Sequence, residues 1–234
     1  PPRFWVARPT LENYRVLPAL LSNLQIPISR YVFNSVFIAA VSTFFSVIAA
    51  SLAAFTFSKS KIKGKKVLFT IVQMMLLYNA YTLAVPQYLI FSKMGIIDTY
   101  WVYILPAIPS SMNCFLMKQY MDVSVPDALL EAAKIDGAGI FTVYRKIVMP
   151  ILKPAWMTSL LFSFQAMWTI IPSGTVFSEE LKTLPYVMSS VATAGIARTG
   201  SAMAVTVLLM IPPIIVFMFT QSNVLDTMST SGIK

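Results

Sequence analysis

The chain has 234 residues, 57% of them hydrophobic and 12% charged, and its mean hydropathy is +0.72. A soluble domain carries roughly a quarter charged residues, so this composition indicates a protein solvated by lipid. The chain has no histidine and one cysteine, Cys114, which excludes a disulfide framework, most metal sites and a histidine-assisted nucleophile. The net charge of +9 lies on cations between apolar runs without interleaved aromatic residues, which favours lipid headgroups over nucleic acid.

Residues 1–30 mix arginines with prolines, which predicts an extracellular loop with one short interfacial helix. Beyond them, uncharged runs alternate with charged loops. Each run is close to, or longer than, the roughly 20 residues that a helix needs to cross a bilayer. The five runs cover residues 31–58, 67–92, 99–117, 155–178 and 199–225.

These runs predict an all-α, polytopic membrane protein with five transmembrane helices. Eleven of the eighteen lysines and arginines lie in three of the intervening segments, 59–66, 118–153 and the tail, which the positive-inside rule assigns to the cytoplasm. Since the chain then starts outside the cell, and begins at Pro1, we expect one further N-terminal helix and six in the intact subunit. The expected organisation is an extracellular segment 1–30, a transmembrane domain 31–220 containing a cytoplasmic loop 121–154, and a cytoplasmic tail 221–234.

The cationic segment between the third and fourth runs predicts two short helices separated by glycines. Ser124 is suited to cap the first helix, which we expect over residues 126–136. Asp127, Glu131 and Lys134 would share one of its faces. Small residues beside that face would let another surface approach the backbone. The second helix is expected from residue 140 to 149.

This segment resembles the EAA signature of permease subunits of type I ABC importers. The matching residues are Glu131-Ala132-Ala133, Asp136-Gly137 and, after nine intervening residues, Ile147-x-Met149-Pro150. The usual ending is Ile-x-Leu-Pro, so Met149 is a departure that is close in volume. Further similarity favours the carbohydrate branch, near the smaller permease subunit of maltose-type transporters, and it lies in Glu12-Asn13-Tyr14, Asn34-Ser35, Ala53-Ala54-Phe55 and Gly95-Ile96-Ile97-Asp98-Thr99.

The resemblance implies that the first short helix is a coupling helix seated in a groove of a cytoplasmic ATPase subunit. It also implies a homologous permease subunit, two ATPase subunits and an extracellular solute-binding protein as partners in a bacterial cytoplasmic membrane. ATP and Mg would bind the ATPase subunits, because this chain lacks a Walker-type glycine-rich loop. We therefore expect no catalytic residue, metal or cofactor here. The implied ATPase-coupling residues are Glu131, Ala132, Ala133, Asp136, Gly137, Ile147 and Pro150.

The predicted spans contain no charged side chain between their ends. Ion-coupled carriers usually need such a group or a broken-helix ion site, so this pattern favours external energy and an uncharged cargo. The carbohydrate that the resemblance implies would be such a cargo. Amide and aromatic side chains inside the spans are candidates for the substrate path, and each is equally suited to an interhelical hydrogen bond or an interface anchor. These candidates are Asn79, Asn113, Gln165 and Trp168.

Several alternatives stay open from the sequence. The cluster Lys59–Lys66 suits anionic lipid and topology better than a protein contact. The cargo of the importer would be a polyamine, an anion or a peptide in a second hypothesis. In a third, the chain is an ion-coupled secondary carrier or a scaffold acting without an ATPase. A membrane enzyme is the weakest hypothesis, because no acid, base and nucleophile are paired.

Overall fold

The computed structural model describes residues 10–21, 26–78, 80–171, 174–193 and 199–231. All regular structure within these ranges is helical, which confirms the all-α prediction. The helices are α1 (Glu12–Leu21), α2 (Ile28–Lys59), α3 (Lys65–Met75), a 3-10 turn (Ala80–Leu83), α4 (Ala84–Met94), α5 (Trp101–Ala107), α6 (Ser111–Ser124), α7 (Asp127–Ile135), α8 (Ile140–Val143), a π turn (Tyr144–Val148), α9 (Met149–Ile151), α10 (Lys153–Trp168), a second 3-10 turn (Glu179–Leu181), α11 (Leu184–Thr193) and α12 (Thr199–Ser231).

Helix α2 is the central element of the bundle, and α6 and α10 pack against it. Its buried positions recur every three or four residues along the whole helix, as expected for one face of an α-helix. Most of the side chains on this face are small or hydroxylated, which lets neighbouring helices approach closely. Among these buried side chains are Ala39, Ser46, Ala50, Ser51 and Ala54.

Two helices of the described ranges are long and apolar enough to cross a membrane, Ile28–Lys59 and Met203–Gln221. A third candidate exists if Ile140–Ile151 and Lys153–Trp168, which meet at an angle of 78°, are counted as one broken span. Two or three of the five predicted transmembrane helices are thus described as candidate spans. The second run is interrupted between α3 and α4, and Pro86 lies in the first turn of α4.

The third run is interrupted between α5 and α6, at residues 108–110, which include Pro109. Because proline has no backbone N–H to donate, the chain does not continue α5 past it and starts a new helix with a new cap. The hydroxyl of Ser110 provides that cap by accepting a hydrogen bond of 3.3 Å from the backbone N–H of Asn113.

Three expectations about element ends are wrong. Ser124 ends α6 instead of capping α7, whose N-cap position is occupied by Pro126. Residues 179–200 contain α11 as well as a loop, and the expected polar tail continues α12 to Ser231.

The bundle has two ends, which we name by their residues. The lysine-rich end contains the C-terminus of α2, the cluster Lys59–Lys66 and the segment from α7 to α9. The opposite end contains the N-terminus of α2, the α4–α5 loop and the loop between α10 and α11. Separate apolar clusters lie beneath the two ends, one around Met117, Met121, Val125, Val148 and Leu152, the other around Ile38, Phe91 and Tyr103.

Candidate functional site

Helix α7 lies on the bundle with one face and leaves the other free. Ala133 is buried and Leu130 is half-buried against the apolar cluster of the lysine-rich end. Asp127, Glu131 and Lys134 are exposed, so the predicted shared face is present and points outward. None of the ion pairs among the described residues involves Glu131, which leaves its carboxylate available to a partner.

The two alanines of the signature point in different directions. Ala132 is exposed beside Glu131, whereas Ala133 is 8% exposed and packs inside this chain. Consecutive helix positions differ by about 100°, so two adjacent residues cannot both face a partner. We expected one role for both alanines, whereas Ala132 faces outward and Ala133 packs within this chain.

Gly137 ends α7 in a left-handed conformation, with φ +79°. Its N–H donates to the carbonyl of Lys134 at 3.1 Å, and the N–H of Ala138 donates to the carbonyl of Ala133 at 3.0 Å. This pair of bonds is the Schellman motif, which favours glycine at this position because other L-residues are strained there. Asp136 precedes it as the C-cap residue of the helix.

The second half of the segment changes helical type before it reaches the membrane helix α10. A π turn over Tyr144–Val148 separates α8 from α9, and π turns are frequent at functional sites. Ile147 is half-buried against the apolar cluster, and Pro150 is exposed at the start of α9. The helix predicted to end at residue 149 therefore continues, in modified form, to Ile151.

Large apolar side chains are exposed beside these elements. Ile135, Ile140 and Phe141 are 86%, 74% and 67% exposed. Apolar side chains grouped beside charged ones on a surface mark contacts with another protein. We call Glu131, Ile135, Ile140 and Phe141 together the coupling surface.

Lys59 connects this segment to α2. Its ammonium group donates to the carbonyl of Val125 at 2.6 Å and to the carboxylate of Asp127 at 2.8 Å, and its side chain is only 7% exposed. The hydrogen bond from Lys59 lowers the pKa of the Asp127 carboxyl. Sequence reasoning missed this role, because the pair is separated by 68 positions and the lysine lies within a cluster typical of lipid contacts.

A second attachment joins α2 to the π turn. The hydroxyl groups of Ser51 and Tyr144 are 2.6 Å apart, and the Tyr144 ring packs edge-on against Phe55. Ser58 also donates to Asp122 in α6 at 2.5 Å. Ser51, Ser58 and Lys59 in the C-terminal half of α2 are thus all hydrogen-bonded to the segment from α6 to α9.

The four candidates for the substrate path differ in their surroundings. Asn113 is 2% exposed, and its amide group donates to the hydroxyls of Ser46 and Ser163 at 3.2 and 2.5 Å. Trp168 is buried, and its indole N–H donates to the carbonyl of Leu209 at 2.9 Å, which is an interhelical contact with α12. Gln165 is exposed on α10. Asn79 lies outside the described residues.

A cavity of about 210 Å³ lies where α2, α6 and α10 meet around Asn113. Its lining includes Ser42, Ser46, Ser163 and Phe162, none of which was selected from the sequence. The Ser42 hydroxyl is fully buried and has no hydrogen-bond partner among the described residues. Phe162, by contrast, is 44% exposed. The sequence does not reveal this site, because most of its lining residues come from three separate helices, α2, α6 and α10.

The loop between α10 and α11 is held at the opposite end of the bundle by Asp98. Its carboxylate accepts hydrogen bonds from the backbone N–H groups of Phe177 and Ser178, both at 2.9 Å, and from the Ser178 hydroxyl. Asp98 has φ +58°, a left-handed conformation that aspartate and asparagine adopt more readily than most residues. Hydrogen bonds from Ser178 hold the pKa of the Asp98 carboxyl below its ordinary value of 3.8.

We expect Asp98→Ala to speed amide hydrogen exchange of Phe177 and Ser178 about fivefold, because a net hydrogen bond contributes about 1 kcal/mol to local stability. Asp98→Asn, which tolerates the same backbone and still accepts a hydrogen bond, should recover part of the protection. Since folding lowers this pKa, the contribution is complete above pH 3.8 and is lost as the pH falls through the lower value. Unchanged exchange in Asp98→Ala at neutral pH would contradict the prediction, and Asp136→Ala is the control.

No group of three His, Cys, Asp or Glu side chains in the described ranges is arranged to hold a metal ion. Cys114 is buried in the apolar cluster of the lysine-rich end. The chemistry of the site is accordingly that of surfaces, hydroxyls and amides.

Comparison with protein families places most of the chain in one of them. Residues 43–230 match the family described as "Binding-protein-dependent transport system inner membrane component". The chain is 26% identical over 206 residues to the lactose transport system permease protein LacG of Rhizobium radiobacter, which covers 87% of this chain and 75% of LacG. It is 28% identical over 231 residues to the galactooligosaccharides transport system permease protein GanQ of Bacillus subtilis, covering 97% of this chain and 81% of GanQ.

A solved structure supports the fold. It is the crystal structure of a bacterial ABC transporter involved in the import of the acidic polysaccharide alginate. One of its chains superimposes with a TM-score of 0.75, at 22% identity, over 90% of this chain and 78% of that one. Identity at this level supports a common arrangement of helices.

Proposed function

This chain belongs to the family of inner membrane components of binding-protein-dependent transport systems, and we propose that the ABC importer it serves carries an oligosaccharide. As a member, it is a multi-pass permease subunit of the cytoplasmic membrane without catalytic activity of its own. Membership also implies an ATPase and a solute-binding protein as partners. The observation that carries the cargo proposal is the similarity along most of the chain to permeases named for lactose and galactooligosaccharides.

The coupling surface is proposed to dock on an ATPase subunit. Glu131 would accept charge-assisted hydrogen bonds from an arginine or lysine of that subunit. Ile135, Ile140 and Phe141 would lose their large exposed areas in the same contact. This docking requires the lysine-rich end to face the cytoplasm, as the charge distribution indicates. ATP and Mg would be bound by the ATPase subunits.

We also propose that the interrupted runs cross the membrane, the second as α3 with α4 and the third as α5 with α6. Broken helices are tolerated in membranes where they are buried in protein or line a cavity. The organisation into an outer segment 1–30, a transmembrane domain 31–220 and a tail 221–234 follows from this topology. A homologous permease subunit would cover the apolar side chains that α12 leaves exposed, with lipid covering the rest.

The cavity around Asn113 is proposed as part of the substrate path. It contains no charged side chain in its lining, which suits an uncharged cargo. Its volume of about 210 Å³ is below the roughly 300–1,000 Å³ of a complete ligand pocket, so it would accept one sugar ring of a longer chain. Trp168, which is buried in a contact with α12, is less suited than Asn113 to contact a substrate.

Reconstitution tests the proposal as a whole. The chain, its permease partner, the ATPase and the cognate binding protein are assembled in proteoliposomes, and uptake of labelled oligosaccharides is compared with that of polyamines, anions and peptides. The expected result is ATP-dependent uptake of an oligosaccharide only. Uptake that needs no ATPase, or that selects a charged solute, would contradict it.

Phe162→Ala tests the cavity. Loss of the ring should raise the apparent KM of uptake about fivefold, because a partly buried aromatic contact contributes about 1 kcal/mol. The matched control is Phe44→Ala, which removes a ring that is 61% exposed on α2 and does not line the cavity. Equal changes in both variants, or a KM that does not respond to Phe162→Ala, would exclude this cavity from the path.

A further inference from the structure

Helix α2 runs without interruption from one end of the bundle to the other. It has 32 residues, and its sequence contains neither glycine nor proline. At about 1.5 Å per residue, it is roughly 48 Å long. Such a helix is stiff along its axis, so a displacement imposed at one end reaches the other.

The C-terminal end of α2 is fixed to the segment that carries the coupling surface. Lys59 binds the carbonyl of Val125 and the carboxylate of Asp127, and these atoms flank the start of α7. Because the Lys59 side chain is 7% exposed while Asp127 is 79% exposed, the lysine is enclosed at the junction and the carboxylate reaches it from outside. An ammonium group held this way opposes any separation of α7 from α2, since a buried charge left unpaired is costly.

The N-terminal end of α2 is held to residues 180–184 by several hydrogen bonds. Asn34 is fully buried, and its amide group donates to the carbonyls of Glu180 and Lys182 at 2.7 and 2.9 Å. The Tyr100 hydroxyl donates to the Asn34 carbonyl oxygen at 2.8 Å, which completes its bonding. One residue further on, Ser35 accepts a hydrogen bond from the backbone N–H of Leu184 at 2.8 Å.

We propose that α2 transmits movement from the coupling surface to residues 180–184, with Lys59 and Asn34 as the positioning residues at its two ends. The inference rests on the proposed function, since it assumes that an ATPase moves α7. Displacement of α7 pulls on Lys59 and moves α2 as a rigid body. Asn34 and Ser35 then move the loop that lies ahead of α11, on the side from which a binding protein delivers substrate.

The first test is the reconstituted complex with its ATPase and binding protein. Lys59→Met keeps the aliphatic stem and removes both bonds, and it should lower the stimulation of ATPase activity by loaded binding protein at least fivefold. Lys59→Arg should restore part of the stimulation. Lys61→Met removes an exposed lysine from the same cluster and is the matched control.

Asn34→Leu, at the N-terminal end of α2, should lower the stimulation of ATPase activity by the same factor as Lys59→Met. If both residues act through one helix, the double variant loses no more stimulation than either single variant. Multiplicative losses in the double variant, or full stimulation in Lys59→Met, would overturn the proposal. If the wild-type complex takes up no oligosaccharide, the proposed function fails. If the wild-type complex takes up oligosaccharide and the variants show the same stimulation as the wild type, only this inference fails.

A distance measurement separates transmission from general destabilisation. Spin labels at Phe177→Cys and Met203→Cys replace side chains that are each 61% exposed, while the native Cys114 is buried. In the parent complex the distance between the labels should change when ATP is added. In Lys59→Met that change should vanish while ATP still binds, and its persistence would contradict the proposal.

Discussion

Glu131→Lys is expected to lower ATP-driven uptake about tenfold or more. The exposed carboxylate would be replaced by a cation facing the basic groups that we propose on the ATPase, and breaking a hydrogen-bonded charge pair at an interface costs about 2 kcal/mol or more. Because Glu131 is exposed and forms no ion pair within the described ranges, folding of the subunit should be unaffected. The measurement is uptake together with binding-protein-stimulated ATPase activity in proteoliposomes.

The matched control for this variant is Glu12→Lys. It makes the same charge change on an exposed residue of α1, away from the coupling surface. Uptake by this control should stay near the parent value. Transport and ATPase activity that survive Glu131→Lys undiminished would remove Glu131 from the coupling contact.

Gly137→Val should also reduce coupling about tenfold, for a different reason. A left-handed conformation costs an L-residue about 1–2 kcal/mol, and the cost is greater for a β-branched side chain. No atom lies within 4 Å of the position that a Cβ would take, so the effect arises from backbone strain and not from a clash. Strain at this turn would unwind the end of α7 and change the angle between Ile135 and Ile140.

Gly139 offers a close comparison. It also has open space around it, but its φ of −67° and ψ of 156° are accessible to any residue. Gly139→Val should therefore retain most uptake, and Gly137→Asn, which tolerates φ above zero, should be intermediate. If valine at both positions gives the same activity, the left-handed turn is not what positions the coupling surface.

The local features of the coupling segment were accessible from its sequence. Helical spacing placed Asp127, Glu131 and Lys134 on one face, and glycine at 137 indicated the end of the helix. The inward position of Ala133 could not be predicted, because either flank of that face might have met the rest of the chain. The interruptions inside the second and third runs could not be located from composition, because an apolar run indicates burial in lipid and not continuity of the backbone.

The other differences between the predictions and the structure arise from contacts between residues that are distant in the sequence. The bond between Lys59 and Asp127 forms because α2 ends beside α7. The spacing of apolar residues in the sequence does not predict that these two helices are neighbours. The same is true of the cavity, where Ser42 and Ser163 come from different helices. Asp98 was noticed only as part of a family-like stretch, and the structure supplies its physical role as the acceptor for the loop at 177–178.

Because α2 is hydrogen-bonded to other elements at both ends, any change in its length would disturb those bonds. One residue inserted between Asn34 and Lys59 would turn one end relative to the other by about 100° and lengthen the helix by about 1.5 Å. Both sets of bonds could not then form together. Seven inserted residues would nearly restore the rotation but add about 10 Å, more than a bilayer of fixed thickness accommodates without tilt. The bonds of Asn34 and Lys59 therefore fix both the length and the rotation of α2 between them.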